Sequence, residues 1–127
     1  MESTESPSSF VRTAEDAAGL LAPLFEGVEG ELIAILFLDS AQRLIRVGEY
    51  REEALPTRAI VTEALRLGAE ALIVGRNHPN GDTAPNEADV QAARELADTA
   101  RTLGIRLFDQ LIFAGGEMRS FRELGLL

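Results

Sequence analysis

Apolar and polar residues alternate along this 127-residue chain with periods that change from segment to segment. From Glu31 to Asp39 the sequence is ELIAILFLD, an almost unbroken apolar run. Such a run predicts a strand covered on both faces, because side chains on both sides of the pleat are buried. EALIVG, from Glu70 to Gly75, predicts a second one. RLIRVGEY, reached through a turn at Ala41 and Gln42, predicts the strand that returns from the first.

Three other segments have helical spacing. In TAEDAAGLLAPLFEG, Leu20, Leu21, Leu24 and Phe25 share a face. Thr13 is placed to cap that helix with Asp16 three residues on, and Pro23 is expected to end or kink it. In LPTRAIVTEALRLG, Ile60, Val61, Ala64 and Leu65 form the stripe, Thr57 is the expected cap and Gly68 suits the C′ position. NEADVQAARELADTARTLG predicts the longest helix, capped by Asn86, with Val90, Ala93, Ala97 and Ala100 inward and Gly104 at its end. IRLFDQLIFAG and EMRSF then predict two strands around a Gly115-Gly116 turn. The order α-β-β-α-β-α-β-β predicts an α/β fold, a mixed β-sheet flanked by helices.

Composition narrows the class. The chain is 46% apolar and 26% charged, as expected of one globular domain over 13–127 behind a flexible tail at 1–12. It contains no cysteine, which excludes disulfides and thiolate metal sites. No apolar run reaches the roughly 18–20 residues of a membrane span, and the acidic, Ser-rich N-terminus lacks the pattern of a signal peptide. The cytoplasm is the expected compartment, without a membrane partner. The net charge of −9 argues against direct nucleic-acid binding, which draws on basic surface for phosphate contacts.

The candidate chemistry lies in VGRNHPNGDTAPNEAD, Val74 to Asp89, which holds the only histidine, His78. If the chain leaves the second strand extended, Arg76 and His78 point to one side, into a pocket beyond the strand end. Asp89 lies in the first turn of the following helix. Strand end, loop and helix N-terminus together make a common place for an active site. Local physics also supplies plainer roles. Asp89 is the N3 partner of Asn86 in a capping box, His78 is a histidine in a turn, and Glu31 is an acid that follows Gly30.

Taken together, RNHPNG, PNEAD, LGIRLFDQLI and SFRELG resemble the ordered motifs of the JAB domain, also called MPN or JAMM, and most closely its RadC branch. The resemblance runs from about residue 15 to the C-terminus. It implies the cytidine-deaminase-like α-β-α architecture and a zinc-dependent hydrolase site. Glu31 then corresponds to the general base, His78 and Asp89 to two zinc ligands, Arg76 to the position of a second histidine, and Asn86 to that of a serine. The Asp-His pair of the family corresponds to Asp109-Gln110. RadC proteins also carry an N-terminal helix-hairpin-helix region, which is not expected within these 127 residues.

The departures are chemical. A catalytic zinc needs about three protein ligands and an open position. A guanidinium has no acceptor with which to ligate a cation. Arg76 is therefore expected to pair with Asp89, Glu31 or both in place of a metal. The expected function is that of a non-catalytic binding module with a protein partner or a second copy, and no cofactor. The alternatives are an active zinc metallohydrolase or peptidase with altered ligation, and a DNA-repair accessory protein.

Overall fold

The computed structural model describes residues 9–127, and the expected order of elements is observed. The helices are α1 (Ala14–Phe25), α2 (Thr57–Leu67) and α3 (Glu87–Thr102); the strands are β1 (Ile33–Leu38), β2 (Leu44–Tyr50), β3 (Ala71–Asn77), β4 (Arg106–Ala114) and β5 (Glu117–Ser120). One sheet has the order β2-β1-β3-β4-β5. It is mixed: β3 and β4 run parallel, and the other neighbours are antiparallel. Helix α3 provides the crossover that a parallel β3–β4 pair requires.

The two apolar runs become the buried centre of the sheet. Every residue of β1 and β3 is buried. Side chains of alternate parity enter two cores. Ile33, Ile35, Phe37, Leu72 and Val74 face α2 and α3, where Ile60, Ala64, Leu96 and Ala100 meet them. Ala34, Leu36, Leu38, Ala71 and Ile73 face α1, where Ala17 and Leu21 meet them. Gly75 brings α1 close to β3, because a Cβ there would stand 2.9 Å from Leu21 Cδ1.

Several boundaries differ from expectation. Strand β1 starts at Ile33, so Glu31 lies just before it. Gly30, at φ +85°, turns the chain, and Leu32 N–H donates to the Asn77 side chain. Strand β3 runs two residues past Gly75, since Arg76 pairs with Ile33 and Ile112, and Asn77 with Phe113. Thr57 is the first residue of α2 and not its cap. Ile60 N–H already reaches the Pro56 carbonyl, and Pro56 takes the cap position without a side-chain hydrogen bond. Leu96 joins the inner face of α3, and Val90 is only partly buried.

The expected tail also divides. Residues 1–8 lie outside the described residues. Phe10 bridges to Arg43, Ser9 O and Val11 N hydrogen-bond to Leu44 and Gln42, and Val11 is fully buried against the α1 core. Pro23 sits in the last turn of α1, which ends two residues later at Phe25. Among the described residues no helix is long and apolar enough to cross a membrane.

Candidate functional site

Arg76, His78, Asp89, Asn86 and Glu31 line one pocket of about 770 Å³, together with Glu53 and Glu95. The sheet end builds its floor. Arg76 sits opposite Ile33 on the face covered by α2 and α3. His78 follows the strand end, held by its N–H to the Phe113 carbonyl. The loop is then closed by turns: Gly81, at φ +86°, donates to the His78 carbonyl, Asn80 accepts from Asp82 N–H, and Asp82 accepts from Ala84 N–H.

At the head of α3 the capping box forms as the sequence suggests. Asp89 N–H donates to Asn86 Oδ1 at 2.7 Å, and Asn86 N–H donates to Asp89 Oδ2 at 3.0 Å. The box holds the Asp89 carboxylate in place, only 6% exposed. His78 Nε2 lies 3.0 Å from the same Oδ2, and its Nδ1 donates to the Asp82 carbonyl at 2.8 Å, which fixes the ring plane.

Arg76 is also 6% exposed. Its guanidinium stands 3.7 Å from Asp89 Oδ1 on one side and 3.7 Å from Glu31 Oε1 on the other. Both are ion pairs without hydrogen-bond contact. Its short hydrogen bond goes elsewhere, from an Nη to the Glu53 carbonyl at 2.7 Å, while Nε has no partner among the described residues. Glu31 is more open than Arg76 and Asp89, with its side chain 34% exposed.

Two participants escape a reading of the sequence. The Glu53 carbonyl belongs to the loop before α2, and a backbone oxygen leaves no mark in residue identity. Asn77 is buried, accepting from Leu32 N–H and donating to the Gly30 carbonyl, both at 2.9 Å. It clamps the segment that carries Glu31 beside Arg76. A polar residue at the end of a buried strand is the signal that marks it.

The donor set does not fit a catalytic zinc. His78 and Asp89 offer two ligands, and the third position presents N–H groups with no lone pair. Among the described residues no three His, Cys, Asp or Glu side chains converge as a metal-binding group. The fixed charge that faces Asp89 and Glu31 is the guanidinium. Outside the pocket, Asp109 and Gln110 differ sharply. Asp109 accepts from Ser120 Oγ and from the N–H groups of Gln110 and Arg122, whereas the fully buried Gln110 amide has no partner at either atom among the described residues.

The sequence pattern of the RadC-like JAB domain matches residues 11–126. A UPF0758 protein of Cupriavidus taiwanensis is 35% identical over 96% of this chain and 51% of its own length. UPF0758 proteins of Methanococcoides burtonii and Photobacterium profundum are 28% and 30% identical, over 98% and 100% of this chain and 56% and 59% of their own lengths. The chain thus spans about half the length of the curated relatives it matches. By the match over nearly its whole length, and by the mixed sheet that carries the His78 loop, the chain belongs to the family of RadC-like JAB domains.

Proposed function

We propose that this domain is a binding module that keeps the RadC-like JAB fold without its hydrolytic chemistry, and that it acts through a protein partner or a second copy. One observation carries the reading: the Arg76 guanidinium stands between Asp89 and Glu31, 3.7 Å from each. A permanent cation there opposes entry of a metal ion and supplies no ligand. Without a metal, a bound water stays far from the roughly neutral pKa that makes it a nucleophile at physiological pH. At the serine position, Asn86 spends its side-chain oxygen on the α3 cap.

The same geometry supplies the test. His78 and Asp89 face each other at 3.0 Å, so the change Arg76→His restores a third ligand type beside two that are in place. Zinc titration by calorimetry is expected to give no stoichiometric tight site in the parent and a site in Arg76→His. Tight stoichiometric zinc in the parent would favour the hydrolase reading instead. If Arg76→His bound no more zinc than the parent, the correspondence of Arg76 to a ligand position would fall.

A further inference from the structure

Four of the arginines gather at the opposite end of the sheet from His78. The register sets this placement: Arg106 pairs with Ala71 at the start of β3, while Arg76 and Asn77 lie at its other end. Arg43 joins it through the bridge to Phe10, next to the start of β2. Arg12 and Arg43 lie over the Phe10 ring, 4.2 and 5.3 Å from its centroid. Arg106 and Arg122 lie over the Phe108 ring at 5.0 and 4.6 Å. The two stacks meet where Arg12, Phe108 and Arg122 line one hollow of about 410 Å³.

Among the described residues these guanidiniums lie over rings and not against carboxylates. All four arginines are exposed, and among the described residues the ion pairs engage Arg46, Arg66, Arg76 and Arg101 instead. A guanidinium laid on a ring keeps its N–H edge free for a planar anion, and its rotamer is already restricted. Arg122 is further held by a 3.5 Å contact from Nη1 to the Phe108 carbonyl. Preorganised forks of this kind suit carboxylates, which accept two parallel N–H groups.

We infer that this surface docks a short acidic segment of a partner protein. Three observations favour that ligand over a nucleic acid. The chain carries a net charge of −9, which repels a long polyanion beyond the patch. Guanidiniums already lie over the two rings and compete there with the stacking of bases. Glu15 and Glu123 also line the hollow and limit the anionic charge it accepts, whereas the Asp109 oxygens there are taken up by Ser120 Oγ and backbone N–H groups.

The test uses the full chain and a fluorescently labelled oligoglutamate peptide, followed by anisotropy at low and moderate salt. Salt-sensitive binding is expected, weakened by about tenfold or more in the Arg12→Gln/Arg122→Gln double variant. The control, Arg58→Gln/Arg94→Gln, makes the same charge change on α2 and α3 and is expected to bind like the parent. Thermal melts of both variants establish that they fold. No binding of the peptide at low salt would overturn the proposal, as would equal weakening in the control. Tighter binding of a thymidine oligonucleotide of matched charge would overturn it in favour of a nucleic-acid surface.

Discussion

Asp89 closes the first turn of α3 with one oxygen and meets both Arg76 and His78 with its carboxylate. Its identity and spacing from Asn86 were legible in the sequence because capping depends on neighbours three residues apart. The pairing of Arg76 was legible in outline, since a cation beside two acids has an electrostatic reason to turn to them. The hydrogen bond to Glu53 was not, because it depends on the path of a distant loop. Gln110 is the converse case: its position was marked by resemblance, but its isolation appears only in the packed core. A buried amide without partners carries a desolvation cost of about 1–3 kcal/mol. The substitution Gln110→Leu keeps similar volume and removes the polar atoms. It is expected to raise the denaturant midpoint, by about 1 kcal/mol of stability after imperfect packing is allowed for. An unchanged or lower midpoint would show that the amide is satisfied in solution.

The strands were the most legible elements, because a continuous apolar run bounded by turn residues has few other fates in a chain with charged helices. Element ends were less so. Thr57 is a good capping residue, yet the helix begins at the turn that Pro56 enters. Phe10 and Val11 sit in a polar stretch, and the segment at the start of β2 together with the α1 core gives them a place. Between β2 and α2 a surface cluster adds a further link: Glu63 accepts two hydrogen bonds from Arg66, at 2.9 and 2.6 Å, and lies 3.5 Å from Arg46. The Arg66 hydrogen bonds hold the Glu63 carboxyl below its ordinary pKa. A group whose pKa is lowered on folding adds stability above its unfolded value and loses it as pH falls through the folded one. The melting temperatures of the parent and Glu63→Gln are thus expected to differ slightly at neutral pH, to converge in acid, and to converge in high salt. A difference that persists in strong acid would assign the effect to packing.

At the scale of the molecule, the central strands belong to both cores. Leu36 and Ile73 face α1, while Ile35, Leu72 and Val74 face α2 and α3, so neither helical layer can come away without exposing the strands that the other covers. The same rigidity separates the two candidate sites, one at each end of β3 and β4. Cooperative unfolding follows from this sharing. Leu21 on α1 and Leu96 on α3 are both fully buried, each against a different face of the sheet. Truncation of either to alanine is expected to cost about 2–5 kcal/mol. Because the sheet lies between them and they share no partner, the double variant is expected to lose the sum to within about 0.5 kcal/mol. All three variants are expected to unfold in a single transition, seen alike by far-ultraviolet circular dichroism and by calorimetry. If Leu21→Ala split the transition in two, α1 would be a separable layer. If the double variant lost much less than the sum, the two cores would already be coupled through a shift of β1 and β3.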